Sequence, residues 1–260
     1  MSDYQNLNKD GLKLAKDIPS LSIIVPSYNE SERILPTLAD IDEYITNASN
    51  SLFISVVVVN DGSLDNTADV VSNWIDQHSK NKKNFSLINY LPNKGKGYAI
   101  REGFSKADSD FVLYTDADGA SPIEEIDKLL YWAQSGFDIV CGSRILKADN
   151  VKVEMGLKRR FTGLIFHLIL KSFGLAEIKD TQCGFKLFKK NIAKKLVETQ
   201  KCFNYSFDIE YLLLAKKYGY KIKEVPVNWS HMEGSKINLL RDSITMLLEV
   251  LKIRFIYKYN

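Results

Sequence analysis

The sequence predicts an α/β fold in which helices cover a mostly parallel central sheet. Two observations carry this prediction. Short apolar, β-branched runs alternate with helical patterns through the first half of the chain, and most runs end in a polar turn that contains glycine. Such alternation favours parallel strands with helices on both faces of the sheet. The chain has 260 residues, of which 45% are hydrophobic, so it can bury a large core.

Five strands are predicted in the first half. The run LFISVVVVN is the strongest, because it is rich in β-branched residues and ends at the turn Asp61-Gly62-Ser63. The other four are LSIIVP, FSLINY, DFVLYT and FDIVCGSR. Helical patterns separate the strands and cover residues 31–48, 63–77, 96–106 and 122–134.

The second half contains two apolar helical patterns that are rimmed by basic residues, at 156–175 and 239–256. A basic amphipathic helix can lie in a membrane interface, although a core helix with a cationic rim fits the same periodicity. A further helix is expected from about Asn191, and KIKEVPVNWS is expected to form a strand. The segments DTQCGFKLFKK and FNYSFDIEYLLLAKKYG receive no assignment. No linker divides the chain, which favours a single domain.

Composition argues against several classes of protein. The net charge of +3 is small for this length, and no aromatic-basic RNA motif is present, so a nucleic-acid partner is not expected. The three cysteines lie far apart, which supports neither a disulfide framework nor a zinc site and favours a reducing, cytosol-facing setting. No apolar run reaches the ~18 residues of a membrane span. Dinucleotide and P-loop glycine signatures are both missing.

Polar turns stand at the carboxyl ends of all five predicted strands, and they read PSYNE, DGS, NKGKG, DADG and GSR. Ligands of open α/β sheets bind at this edge, so we expect the turns to form one site. Asp116 and Asp118 lie one residue apart and repel each other, a conflict that a divalent cation would remove. A plain polar turn fits the same residues. The loop 93–97 offers backbone N–H groups and two cations, which suits an anion.

Taken in order, IIVPSYNE, VVNDGSLDNT, NKGKGYAIREG, YTDADG and GSR resemble the inverting GT-A glycosyltransferases of family two. RRFTGLIFHLIL, DTQCGFKLF, FDIEYLLLA and EVPVNWSHMEGSK are similar to polyprenyl-phosphate glycosyltransferases, most closely the dolichyl-phosphate β-glucosyltransferases. The resemblance covers about residues 21–255. It implies a GT-A fold and a metal-dependent, inverting transfer of a hexose to a polyprenyl phosphate, with glucose from UDP-glucose favoured.

The resemblance also implies one GT-A domain over residues 1–260. Residues 21–150 would form the nucleotide-sugar and metal half, and residues 151–260 the acceptor and membrane-facing half. The favoured location is cytoplasmic, with peripheral association at the cytoplasmic face of a membrane, and the resemblance favours the interfacial interpretation of residues 156–175.

The first-half motifs imply specific roles. Asp116 and Asp118 would hold Mg²⁺ or Mn²⁺ on the diphosphate, and Asp118 is also the expected catalytic residue. Asp61 would accept hydrogen bonds from the base or ribose. Ala120 is a departure, because related mannosyltransferases have a glutamine there that can reach the metal and alanine cannot ligate. The implied nucleotide-sugar residues are Pro26, Tyr28, Glu30, Asp61, Gly62, Asn93, Gly95, Lys96, Asp116 and Ala117.

The second-half motifs imply a grip on the phosphate of the lipid acceptor. Arginine and lysine both bind phosphate, and arginine can do so through two parallel hydrogen bonds. Arg144 and Lys236 are also expected to be catalytic, and His231 lies near this grip by motif position. The implied acceptor-phosphate residues are Arg144, Arg159, Gln182, Lys186, Ser235 and Lys236.

Three alternatives remain open at the level of sequence. A GDP-mannose-dependent enzyme would use the same lipid. A transferase acting on a saccharide hydroxyl would need a general base, for which Asp208 and Glu210 are available. A phosphate acceptor needs no general base, because the second pKa of a phosphate monoester is about 6 and the group is largely a dianion at pH 7. The third alternative is a membrane-bound adaptor with a degenerate transferase fold, which the retained aspartates and glycine loops oppose.

Overall fold

The computed structural model of the chain describes residues 19–48, 52–149, 151–153, 175, 177–232, 245, 248–249 and 251–253. Seven strands are described: β1 Ser20–Ser27, β2 Phe53–Asp61, β3 Phe85–Tyr90, β4 Phe111–Thr115, β5 Ile139–Ser143, β6 Phe185–Lys189 and β7 Ile222–Pro226. The named helices are α1 Ile34–Ala48, α2 Thr67–Gln77, α3 Lys96–Lys106, α4 Ile126–Gln134, α5 Lys190–Thr199 and α6 Phe207–Lys217. Short 3₁₀ turns cover Lys82–Asn84 and Ile123–Glu125.

The seven described strands form one sheet in the order β3-β2-β1-β4-β6-β5-β7. Six of them run in the same direction, and β6 is antiparallel to both of its neighbours. In that position Lys186 of β6 pairs with Tyr114 of β4 on one side and with Cys141 of β5 on the other. The prediction of a mostly parallel sheet is therefore confirmed, with one antiparallel insertion.

A separate apolar core lies on each face of the sheet, because successive residues of a strand point to opposite faces. Ile23 of β1 belongs to the core beneath α1, α2 and α4. Ile24 belongs to the core beneath α3, α5 and α6. The same alternation places Val58 in the first core and Val57 in the second. The sheet is thus covered on both sides, as its near-continuous apolar strands predict.

Several predicted elements agree closely with the structure, and the differences have local causes. The third strand and the helix after it match β3 and α3. Helix α2 begins four residues later than predicted, because Asp65 accepts hydrogen bonds from the N–H of Thr67 and the hydroxyl of Ser31 and holds the preceding residues as a loop. DTQCGFKLFKK, which received no assignment, contains β6.

The two basic helical patterns lie mostly outside the described residues. Only Leu175 of the first is described, and it is buried. Within the last, residues 245, 248–249 and 251–253 are helical. Ile253 is buried, whereas Leu248 and Leu251 are 54% and 40% exposed. Of the helices that the structure describes, none is both long enough and apolar enough to cross a membrane.

Candidate active site

The loop after β1 is fastened to the loop after β2. Asn29 has a φ of 54°, and its N–H donates to Ser63 Oγ at 2.8 Å. Its Oδ1 accepts from the N–H of Leu64 at 2.7 Å, and the N–H of Glu30 donates to Thr67 Oγ1 at 2.8 Å. Asparagine tolerates this left-handed backbone better than most residues do. The two turns therefore act as one rigid wall at the edge of the sheet.

The predicted nucleotide-sugar residues of the first loop lie along this wall. Pro26 lies next to the last residue of β1, opposite Val59 of β2. Tyr28 is 37% exposed. The carboxylate of Glu30 accepts two hydrogen bonds from Arg33, the shorter at 2.7 Å, so this pair braces the start of α1. The structure brings these residues together, and their contact with a nucleotide stays a prediction.

Asp61 fastens the next loop. Its side chain is almost fully buried and accepts hydrogen bonds from Tyr90 Oη, Asn93 Nδ2 and the N–H groups of Lys94 and Gly95, at 2.8–2.9 Å. A hydrogen bond to an ionised carboxylate is stronger than a hydrogen bond to a neutral acceptor. In this structure Asp61 is thus the residue that shapes the loop 93–95. The prediction that it contacts a base or ribose stays a prediction.

Two glycines let this loop approach its neighbours. Gly62 has a φ of 64°, and a Cβ there would lie 2.3 Å from the N of Asn93. Gly95 has a φ of 99°, and a Cβ there would lie 2.4 Å from the carbonyl oxygen of Phe203. Larger residues would be strained at both positions. The glycines therefore place Lys96 at the first turn of α3, facing the end of β4.

The segment after β4 carries the two aspartates and is held from three sides. Thr37 Oγ1 of α1 donates to the carbonyl oxygen of Ala117 at 2.9 Å. The N–H of Asp116 donates to the carbonyl oxygen of Gly184 at 3.2 Å, and the N–H of Ser230 donates to that of Ala120 at 2.9 Å. Helix α1, the residue just before β6 and the chain beyond β7 thus all fix this turn.

Asp116 and Asp118 sit in different electrostatic surroundings. Asp116 Oδ1 is 2.5 Å from Lys96 Nζ, with the two side chains 38% and 23% exposed. Burial acts to lower the pKa of Lys96, but the charges of Asp116 and Asp208 outweigh it and raise that pKa above its usual value. The pKa of Asp118 is raised, first by burial and second by the charge of Asp116. The repulsion expected from the sequence is therefore present at Asp118.

Lys186 does not lie where the sequence analysis placed it. Its side chain is 1% exposed, and Nζ donates to Tyr114 Oη at 2.9 Å and to Cys183 O and Asp208 Oδ1 at 2.8 Å. All three N–H donors of the ammonium group are thereby used inside the protein. This placement in the interior is inconsistent with the prediction that Lys186 binds the acceptor phosphate.

The two carboxylates considered as a general base are also committed to protein donors. Asp208 accepts hydrogen bonds from Lys186 and from the hydroxyl of Tyr114. Glu210 is fully buried, and its oxygens accept from the N–H groups of Lys201 and Cys202 at 2.8 and 2.9 Å. Both are buried, Asp208 with only 6% of its surface exposed. Their geometry is that of residues that hold the start of α6 in place.

Arg144 is the expected acceptor-phosphate residue that the structure places at the edge of the sheet. Its Nε and Nη2 donate to the two oxygens of Asp180, each at 2.8 Å, and its guanidinium lies 5.6 Å from the ring centre of Trp229. Burial acts to raise the pKa of Asp180, but Arg144 outweighs it, so that pKa is lowered. Gln182 follows, its N–H donating to Asp180 at 3.3 Å. Arg159, Ser235 and Lys236 lie outside the described residues.

Sequence reasoning missed three residues that shape the site. Asp180 orients Arg144, Gly184 leaves room for Asp116, and Tyr114 joins Lys186 to Asp208. A Cβ on Gly184 would lie 2.0 Å from Asp116 Oδ2. Asp180 and Gly184 both belong to the segment DTQCGFK, so the available signal was that one short motif carries several polar residues and a glycine.

Comparison with known proteins identifies the arrangement. The sequence profile described as Glycosyl transferase family 2 matches residues 22–197. The chain belongs to this family. The match contains the two fastened loops, both aspartates, Lys96, Arg144 and β6, so the candidate site at this edge of the sheet lies within the part of the chain that matches the family.

Three relatives of this glycosyltransferase, from different organisms, share one name. A dolichyl-phosphate beta-glucosyltransferase of Trichomonas vaginalis is 38% identical, with 92% of this chain and 74% of the relative covered. Those of Saccharomyces cerevisiae and Homo sapiens are 35% and 32% identical, covering 98% and 96% of this chain and 83% and 80% of the relatives. The resemblance drawn from the sequence motifs is thereby confirmed.

Solved structures confirm the GT-A fold of this glycosyltransferase. Glucosyl-3-phosphoglycerate synthase from Mycobacterium tuberculosis, determined with Mn²⁺, UDP and glucosyl-3-phosphoglycerate, superposes with a TM-score of 0.67 at 17% identity. The match covers 90% of this chain and 80% of that one. Mannosyl-3-phosphoglycerate synthase from Rubrobacter xylanophilus gives a TM-score of 0.61 at 19% identity, covering 90% and 72%.

The donor atoms of this glycosyltransferase suit a divalent metal that is shared with a phosphate. Asp116 and Asp118 supply hard oxygen ligands, which Mg²⁺ and Mn²⁺ prefer. Among the described residues there is no group of three or more His, Cys, Asp or Glu that could hold a metal. Asp116 and Asp118 would therefore supply only part of the coordination shell of such an ion.

Proposed function

We propose that the chain transfers glucose from UDP-glucose to a dolichyl-type polyprenyl phosphate, with inversion at the anomeric carbon. One observation carries the choice of a phosphate acceptor. Asp208 and Glu210, the carboxylates considered as a general base, are both buried and both engaged by protein donors. A hydroxyl acceptor requires such a base, whereas a phosphate dianion already carries a nucleophilic oxygen. The names of the relatives support glucose as the sugar and dolichyl phosphate as the acceptor, and the UDP-glucose bound in a solved glucosyl-3-phosphoglycerate synthase supports the nucleotide.

The reaction is proposed to depend on Mg²⁺ or Mn²⁺ held by Asp116 and Asp118. When bound, the metal supplies charge neutralisation for the leaving nucleoside diphosphate. Thr37 and Gly184 fix the turn that carries both aspartates. The Mn²⁺ and UDP present in the M. tuberculosis glucosyl-3-phosphoglycerate synthase structure support this assignment.

The chain's own residues would position the two substrates. The loops held by the Asn29 and Asp61 contacts would form rigid walls beside the nucleotide, and Lys96, which is paired with Asp116 in this structure, would turn to the phosphates. Arg144, held by Asp180 at one side of its guanidinium, is proposed to bind the acceptor phosphate. Ser235 and Lys236 are proposed to share that role. Holding the acceptor phosphate behind the anomeric carbon would contribute to the rate enhancement by fixing the geometry of attack.

We further propose that this is a single domain that acts at the cytoplasmic face of a membrane. Strands β6 and β7 of the acceptor half complete the sheet begun by the nucleotide half, which supports one domain. All three cysteines are free and buried, which fits a reducing compartment. The exposed Leu248 and Leu251 and the basic pattern at 156–175 support membrane contact.

Membrane contact is tested by flotation with lipid vesicles. The protein should float with anionic vesicles and less well at high salt, because salt screens the attraction to lipid charge. Leu248→Asp should weaken flotation, whereas the exposed Phe53→Asp, at the start of β2, should not. Equal flotation with neutral and anionic vesicles at every salt concentration would contradict the electrostatic part of the proposal.

The donor and acceptor are tested with a panel of radiolabelled nucleotide sugars. Each is incubated with dolichyl phosphate and Mn²⁺, and product is extracted into organic solvent. We expect UDP-glucose to give the labelled lipid, with a β-linked sugar from an α-linked donor, and EDTA to abolish it. Label transferred from GDP-mannose instead would assign the mannosyl alternative. Label that reaches only a saccharide would reject the lipid acceptor, and no transfer by the folded protein would favour the adaptor.

A further inference from the structure

Lys96 forms an ion pair with Asp116, one of the two aspartates that are proposed to hold the metal. Its Nζ lies 2.5 Å from Oδ1 of Asp116, the first of the two aspartates. The charge of Asp208 also acts on Lys96, and the ring of Tyr114 lies 6.0 Å from its Nζ. A lysine in this position neutralises the strand end when no dication does so.

The backbone on both sides of this ion pair is fixed, but the lysine side chain can move. Gly95, the residue before Lys96, donates its N–H to Asp61 at 2.8 Å. Asp116 donates its N–H to Gly184 at 3.2 Å, and Gly184 closes the space behind the carboxylate. The side chain of Lys96 is 23% exposed, and its ammonium group ends a flexible four-carbon stem. Release of the pair therefore requires rotation of one side chain and no rearrangement of the loops.

We infer that Lys96 is an exchangeable counter-ion of Asp116, which competes with the metal until a nucleoside diphosphate arrives. An ammonium group at hydrogen-bond distance from Asp116 and a dication on the same carboxylate repel each other. A diphosphate resolves this conflict, because it offers Lys96 a new anion and gives the metal further oxygen ligands. Lys96 thus makes metal and nucleotide bind together. This inference rests on the proposed metal-dependent function.

The test measures binding of Mn²⁺ alone, by the loss of the free-ion EPR signal, and repeats the titration with saturating UDP. Lys96→Met should bind Mn²⁺ alone about tenfold more tightly than the wild type, and UDP should then strengthen Mn²⁺ binding by a correspondingly smaller factor. A tenfold change lies within the ordinary range of coupling between two ligands, about 5- to 150-fold. The direct chelation of Mn²⁺ by UDP is common to all variants and cancels in the comparison.

Lys94→Met is the matched control, because it removes the same charge from the same loop. Lys94 Nζ lies over the rings of Tyr90 and Tyr98, at 5.2 and 4.5 Å, and not on a carboxylate. This variant should bind Mn²⁺ alone as the wild type does, and Lys96→Arg, which keeps the charge, should do the same. If Lys96→Met does not fold, Lys96→Gln replaces it.

The outcomes separate this inference from the proposed function. If the neutral Lys96 variants and Lys94→Met bind Mn²⁺ alone with equal affinity, the exchange is rejected while the metal assignment stands. The exchange is rejected in the same way if no variant binds Mn²⁺ without UDP and all of them bind Mn²⁺ with equal affinity when UDP is present. If the wild type fails to bind Mn²⁺ even with UDP, the metal-dependent function itself is rejected, and the exchange with it.

Discussion

Gly184 lies directly behind the carboxylate of Asp116, where a side chain would clash with that carboxylate. Alanine there would place Cβ 2.0 Å from one oxygen and 2.4 Å from Cγ of that carboxylate. We therefore expect Gly184→Ala to displace Asp116 and to weaken Mn²⁺ binding in the presence of UDP, with turnover reduced by about 10- to 100-fold, the usual cost of disturbing the support of a metal ligand. Mn²⁺ titration and initial rates measure both effects.

Asp118→Asn is the positive control for that comparison, because it changes a proposed ligand itself. It should keep the fold and lose more turnover than Gly184→Ala. The displacement is contradicted if Gly184→Ala is folded and binds Mn²⁺ as tightly as the wild type. Circular dichroism and urea unfolding separate a local shift from loss of structure.

Lys186 shows where sequence reasoning at single residues reaches its limit. The carboxylate pair and the glycine loops were recognisable because their chemistry is local. The burial of Lys186 was not, because lysine is almost never fully buried unless it is paired. Its partner Asp208 is far away in sequence, and only the insertion of β6 beside β4 brings them together. A basic residue in a functional motif can therefore serve the interior and not the ligand.

Helix α1 carries an acidic side chain that holds a neighbouring turn. Asp42 is 5% exposed and accepts hydrogen bonds from Ser79 Oγ, Lys80 N and Asn81 Nδ2 at 2.9–3.0 Å. Burial acts to raise its pKa, but these donors, led by the Lys80 N–H, outweigh burial, so the pKa of Asp42 lies below its usual value. The contact joins α1 to the connection between α2 and β3.

Asp42→Asn should lower the free energy of unfolding by about 1–3 kcal/mol at pH 7, because a charged acceptor of several donors is lost. A carboxyl whose folded-state pKa is lowered stabilises the fold above its unfolded pKa of about 4 and loses that contribution as the pH falls through the folded value. The difference from the wild type should therefore shrink between about pH 4 and pH 2. Urea unfolding across this range measures it.

Asp40→Asn on the same helix is the control for the Asp42 prediction. Burial and the charges of Glu124 and Glu43 raise the pKa of Asp40, so its ionised form is not favoured by folding. This variant should lose no stability at pH 7. A stability difference for Asp42→Asn that stays constant down to pH 2 would contradict a role for the charge.

Most elements were predictable because their patterns are local. The β-branched run of β2 and the glycine-lysine start of α3 indicate their structure within a few residues. Strand β6 was not assigned, because FKLFK shows neither the alternation of a half-exposed strand nor a purely apolar run. Four of its five residues are buried, one of them a lysine. Its place between β4 and β5 is decided by the sheet as a whole.

The two carboxylates considered as a general base, Asp208 and Glu210, are buried and engaged by protein donors, so we expect the acceptor phosphate to set the pH dependence of the reaction. The acceptor phosphate loses its second proton with a pKa of about 6, so kcat/KM should fall by about tenfold per pH unit well below that value. Rates measured from about pH 5 to pH 8 test this. Asp208→Asn should keep the shape of the profile, although it leaves Lys186 without its buried counter-ion and should cost about 3–5 kcal/mol of stability.

Glu210→Gln tests the same pH profile with less structural damage. The folded fraction of this variant should retain turnover, because Glu210 accepts hydrogen bonds from the N–H groups of Lys201 and Cys202. The phosphate-acceptor argument fails if either carboxamide variant is folded, binds both substrates and is as inactive as Asp118→Asn. A profile without an acidic limb would also contradict it.

The insertion of β6 between β4 and β5 has a consequence for folding while the chain is being synthesised on the ribosome. Strand β4 ends at Thr115, but the strand that covers its free edge, Phe185–Lys189, is translated only after residues 116–184. At about 5–20 residues per second, that edge stays unpaired for several seconds. An open, apolar edge is a template for wrong pairing, so the nascent chain should need a chaperone during this interval. Limited proteolysis of stalled chains would show protection of β4 only once Lys189 has left the exit tunnel.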